Sequence, residues 1–170
     1  MKTIKVNVHL LAVISMTLWG FSYVWTKIVF KYYEPLTTIF IRLTLSSLFL
    51  ILFIFLFKKS EGIKKEHWKL FLLSALFNPF LYFVGESYGL DRVSATIGSV
   101  IIGTIPLFTP LAAYFALKEK LRKINIFGLG ISFIGILIML MKKDFSLAAD
   151  PIGLSFLFLA IAAAVIYGIF

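Results

Sequence analysis

A series of hydrophobic runs, each close to twenty residues long and separated by short connectors that hold most of the charge, constrains this chain more than any other feature. The runs are His9–Val29, Leu36–Phe57, Lys69–Gly89, Val93–Leu117, Ile124–Met141 and Pro151–Phe170. Crossing roughly 30 Å of hydrocarbon takes about 20 helical residues. Unpaired peptide groups are costly in lipid, so runs of this length must be helices, and none shows the alternation of a barrel strand. The expectation is an all-α integral membrane protein with six transmembrane helices.

Composition closes the soluble alternative. Hydrophobic residues make up 61% of the chain and charged ones only 15%, against about a quarter charged in soluble domains. A water-soluble fold of this size has too little interior to hide that surface. The net charge of +9 does not point to nucleic acid, because the basic residues sit in connectors rather than along one helix or stripe. With no cysteine and only His9 and His67, neither a disulfide framework nor a metal centre is expected, and no cofactor is implied. Lys2 and Lys5 precede an apolar run too long for a signal peptide and lacking a small-x-small cleavage site, so it reads as an uncleaved first span.

Basic residues also predict orientation. The N-terminus and the second and fourth connectors carry Lys2, Lys5, Lys58, Lys59, Lys64, Lys65, Lys69, Lys118, Lys120, Arg122 and Lys123, whereas the opposite side carries Lys27, Lys31, Arg92, Lys142 and Lys143. This asymmetry predicts a cytoplasmic N-terminus.

Polar groups inside the spans need a reason to be there. Projected at 100° per residue, Ser15, Trp19, Ser22 and Thr26 share an arc of the first span, with Tyr23 and Lys27 at its edge. Ser74, Asn78, Tyr82 and Glu86 run at four-residue spacing up the third, and Thr96, Ser99, Gly103, Pro106 and Pro110 share a face of the fourth. Such stripes suit either a polar cavity or close helix packing. Pro106 and Pro110 remove backbone donors and leave carbonyls free, as a hinge or a plain kink. Arg42 and Glu86 are the charges best placed to matter. They read as a structural pair or outer gate, as direct substrate or proton handling, or as snorkelling side chains. No hydrolytic or metal-enzyme motif is present, and Gly128-Leu129-Gly130 lies inside an apolar helix, so an enzyme is not expected.

Several motifs resemble the EamA-type branch of the drug/metabolite transporter superfamily. These are Trp19-Gly20 followed by Lys27, Pro35 followed by Arg42, and Gly89-Leu90-Asp91-Arg92-Val93-Ser94-Ala95. Ile105-Pro106-Leu107-Phe108-Thr109-Pro110 with Lys118-Glu119-Lys120-Leu121, and the small-residue run Gly128 to Gly135, complete the set. The resemblance covers residues 10 to 141. It implies a ten-span carrier of two inverted five-helix repeats that moves small organic solutes or metabolites across the plasma (inner) membrane by alternating access. On that reading residues 1–143 form the first repeat and 144–170 open a second. The run that stops at Phe170 then suggests a truncated sequence whose partners are the remaining helices, and a half-size protein that pairs with a second copy is the alternative. Glu119 is implied to be a family marker more than a substrate ligand. The residues expected to line the substrate cavity are Trp19, Tyr23, Asn78, Tyr82, Glu86 and Thr104, with Arg42–Glu86 as gate or ion pair and Pro106 and Pro110 as hinge. A non-transporting polytopic protein with an assembly or scaffold role is the competing class.

Overall fold

The computed structural model describes residues 8–57, 64–141 and 149–169. Several residues of the charge count (Lys2, Lys5, Lys58, Lys59, Lys142 and Lys143), the 143/144 boundary and Phe170 lie outside the described residues. The described residues fold as helix or short connector, with no strand among them.

The first two spans are the continuous helices α1 (Val8–Val29) and α2 (Pro35–Phe57). Pro35 opens α2, where its missing N–H costs nothing. The third span starts after a short 3-10 turn, Lys65–His67, and comprises α3 (Trp68–Ala75) and α4 (Tyr82–Arg92). The fourth comprises α5 (Ala95–Ile102) and α6 (Ile105–Leu117), the fifth is α7 (Lys123–Leu140), and the last is α8 (Pro151–Tyr167). Among the described residues five segments are long and apolar enough to cross a membrane: Val8–Val29, Pro35–Phe57, Trp68–Arg92, Ala95–Leu117 and Lys123–Leu140. The sixth run forms α8, an apolar helix of 17 residues.

The third span, expected to be continuous, and the fourth, expected to hinge or kink at Pro106 and Pro110, are both broken. Between α3 and α4 the chain forms a widened π turn over Leu76–Leu81, with Asn78 in extended geometry (φ −138°, ψ 114°) and a cis Asn78–Pro79 bond. Pro79 has no N–H to give and its ring obstructs the preceding turn, so the helix cannot run through it. The four-residue ladder from Ser74 to Glu86 therefore does not exist as one stripe. Only its Tyr82–Glu86 half keeps helical register. In the fourth span the turn at Gly103–Thr104 separates α5 from α6, and Pro106 falls in the first turn of α6.

The connection between the third and fourth spans is tighter than the three residues expected. Helix α4 continues through Arg92, leaving Val93 and Ser94, and the Ser94 hydroxyl caps α5 by accepting from the Ile97 N–H at 3.2 Å.

The core is built around α8. Its most extensive partner is α4, with the π turn, α6 and α5 also in contact. The two backbones approach closely because glycines face the crossing. A Cβ on Gly85 would stand 2.6 Å from the Phe156 carbonyl oxygen and 2.7 Å from the Ala160 nitrogen. One on Gly89 would meet the Leu157 side chain at 2.7 Å, and one on Gly153 the Arg92 Cβ at 2.8 Å. Between lipid-solvated helices hydrophobicity gives no preference for burial, so close backbone packing supplies the attraction. The outer faces of α1, α2 and α7 are apolar and exposed, as contact with a bilayer requires.

Candidate functional site: a buried charge cluster at the hairpin end

Three helices deliver polar side chains to one depth. Tyr23 lies six residues before the end of α1, Arg42 seven after the start of α2, and Glu86 six before the end of α4. At about 1.5 Å per residue each is about 9–10 Å from the same end of the bundle, the end that carries the Val93–Ser94 hairpin.

Glu86 is almost fully buried, at 4% exposure. Its two oxygens are held from different sides. The Tyr82 hydroxyl, one turn earlier on α4, donates to Oε1 at 2.8 Å, and Arg42 Nη1 lies 3.4 Å from Oε2. A carboxylate removed from water needs such partners, since an unpaired one carries a large desolvation cost. The Arg42 guanidinium is also placed over the Phe83 ring, 4.2 Å from its centroid, where the ring's negative face favours a cation. Arg42 keeps 39% of its side chain exposed, against 6% for Glu86, so the pair is open on the arginine side.

Tyr23 completes the cluster. It is buried at 3% exposure, interacts electrostatically with Glu86 and Tyr82, and its hydroxyl lacks hydrogen-bonding geometry to either. The polar arc expected on the first span is only partly inward, with Ser22 and Thr26 half-buried as Lys27 is. Tyr23 and Lys27 turn inward, while Ser15 at one end of that arc is exposed. Trp19 packs one turn away, its ring centroid 6.0 Å from that of Tyr23, and remains partly exposed.

The remaining sequence candidates lie elsewhere. Asn78 is half-buried in the π turn. Thr104 is buried, its hydroxyl donating to the Ile101 carbonyl, and it edges an apolar cavity of about 420 Å³ between α6 and α7. Pro110 sits inside α6, and Thr96, Gly103 and Pro106 present an exposed face.

Two further contacts close the hairpin end. Lys27 Nζ donates to the carbonyls of Leu90 and Asp91, at 2.7 and 3.1 Å, satisfying acceptors that the end of α4 leaves open. Arg92 Nη1 pairs with Asp150 Oδ2 at 3.3 Å, and Asp150 Oδ1 caps α8 by accepting from the Ile152 N–H. Sequence reasoning missed these partners, as well as the break at Pro79 and the glycine seam. Two of those had visible signals: a proline in mid-span, and the Gly85-x-x-x-Gly89 spacing that permits close helix approach.

The fold and this cluster define a multi-pass α-helical membrane protein with a charged site inside its bundle. The chain belongs to the EamA-like transporter family, whose model matches residues 7–141. Transporter YoaV of Bacillus subtilis (strain 168), described as uncharacterized, is 30% identical over 135 residues, which cover 79% of this chain and 46% of that protein. An uncharacterized transporter of Archaeoglobus fulgidus is 23% identical over 157 residues, covering 92% of this chain and 54% of that protein. The chain thus spans about half the length of the curated relatives it matches. No solved structure matches it.

Proposed function

We propose that this chain supplies one wall of an alternating-access carrier for small organic solutes in the plasma (inner) membrane, with the Tyr23–Tyr82–Glu86–Arg42 cluster as its polar centre. The observation that carries the reading is the burial of Glu86 at 4% exposure between a tyrosine and an arginine from separate helices. Intramembrane ionisable groups of this kind are expensive and are kept at solute or ion pathways. Trp19 borders the same route in this reading, Asn78 sits in the break of the third span, and the breaks beside Pro79 and Pro106 give the third and fourth spans places to bend.

Solute counterflow into proteoliposomes holding the intact gene product tests the proposal. Exchange of at least one solute class, reduced in Glu86→Gln, is expected. Absence of exchange for every class would overturn the carrier reading.

We further propose that the hairpin end faces outward and the N-terminus the cytoplasm, as the basic-residue asymmetry suggests. The chain has no native cysteine, so single cysteines at the exposed positions Tyr33 and Glu119 report sidedness directly. An impermeant maleimide added to whole cells should label the first and spare the second. The reverse pattern would invert the topology.

A further inference from the structure

An open cleft of about 490 Å³ lies between α1 and α2 at the hairpin end, and among the described residues Arg42 is the only charged one that lines it. Its hydroxyls do not offer equal chemistry. Ser22 donates its proton to the Trp19 carbonyl at 2.6 Å and Thr38 donates to the Glu34 carbonyl at 3.1 Å. The hydroxyls of Thr26 and Tyr33, also on the cleft wall, have no hydrogen-bond partner among the described residues. Arg42 has five N–H donors. One points to Glu86 at 3.4 Å, Phe83 covers a face of the guanidinium, and the exposed remainder borders the cleft.

The donors left unused in the cleft are therefore those of a cation and two hydroxyls, with no carboxylate on its wall. The rest of the wall is apolar: Trp25, Val29 and Ile41. Lipid chains cannot satisfy a guanidinium, and a solute entering the cleft meets the exposed Arg42 side chain before the buried Glu86 carboxylate that partners it. An acceptor-rich, negatively charged head on an apolar body fits both halves of the cleft.

We infer that the α1–α2 cleft binds a small organic anion, a carboxylate or phosphonate with a compact apolar body, its head on Arg42 and Thr26 and its body against Trp25. Glu86, behind the guanidinium, positions it rather than filling it. The inference rests on the carrier reading for its physiological role, but the binding itself is separately measurable.

Calorimetric titration of the intact protein in phosphatidylcholine nanodiscs, with isovalerate and with isoamylammonium, makes the test. Binding of the anion and none of the cation is expected. Arg42→Gln should weaken isovalerate at least ten-fold, and Thr26→Val, which leaves the ion pair intact, about three-fold. Arg42→Gln with Glu86→Gln removes both charges together and checks that any loss is not misfolding. Equal binding of both ions, preference for the cation, or an unaltered affinity in Arg42→Gln would overturn the inference. So would saturation by phosphatidylglycerol nanodiscs without any binding of isovalerate, which would assign the cleft to a lipid headgroup. Anion binding without counterflow of any solute would keep the site and remove the carrier. Counterflow of cations or neutral solutes without anion binding would keep the carrier and remove the site.

Discussion

Helices α2 and α8 are both uncharged over most of their length and strongly apolar, yet α8 is one of the well-buried elements and α2 is mostly exposed. Along α8, Gly153, Leu154, Leu157, Ala160, Ile161, Ala163 and Val165 are buried, whereas α2 buries only Pro35 and Ile39. The difference lies in size, not hydropathy. Helix α8 carries small residues where it crosses α4, and α4 answers with Gly85 and Gly89. Helix α2 is rich in Phe, Leu and Ile, which lipid solvates as well as protein does. It joins the bundle near its hairpin end, through Ile39 and Arg42.

That contrast can be broken most strongly at the crossing. Gly85→Leu would drive a side chain into the Phe156 and Ala160 backbone, so a loss of about 3 kcal/mol is expected in detergent unfolding. A neutral result there would mean that α8 does not pack on α4 as described. Next comes the single charged tie of α2. Arg42→Ala should cost about 2 kcal/mol, less than for a fully buried pair because Arg42 is partly exposed. Glu86→Ala should cost a similar amount, and the double variant less than the sum of the two by about 1 kcal/mol. Additive losses in that cycle would show that the two charges are not coupled. Lys27→Met removes the cap on the Leu90 and Asp91 carbonyls and should lower stability by about 1 kcal/mol. Smallest of all, Phe49→Ala on the outer face of α2, at 73% exposure, should change stability by less than about 0.5 kcal/mol. A larger loss would mean that this face of α2 is packed rather than lipid-facing.

Much of the candidate site was legible as residue types. Tyr23, Arg42, Tyr82 and Glu86 stand out because a polar group in a long apolar run has few inexpensive explanations. Their meeting was less legible. A helical projection puts Tyr23 at the edge of a stripe, and the structure buries it in the cluster beside Glu86 and Tyr82. The projection also carried Ser74 and Asn78 onto the Glu86 face, because it assumed unbroken turns across Pro79. Thr104, read from the sequence as a cavity residue, donates its hydroxyl to the Ile101 carbonyl and edges the apolar cavity between α6 and α7.

By itself the sequence determined that the chain lives in a bilayer, where its spans begin and end within a few residues, and which charges need partners. Each of these follows from local length, hydropathy and the cost of desolvating a polar group. Only the tertiary structure decided which apolar helix becomes the core and how closely its neighbours approach it. Lipid removes the hydrophobic preference that would otherwise have written those choices into the pattern of the sequence. What remains to make them is the fit of one backbone against another, at Gly85, Gly89 and Gly153.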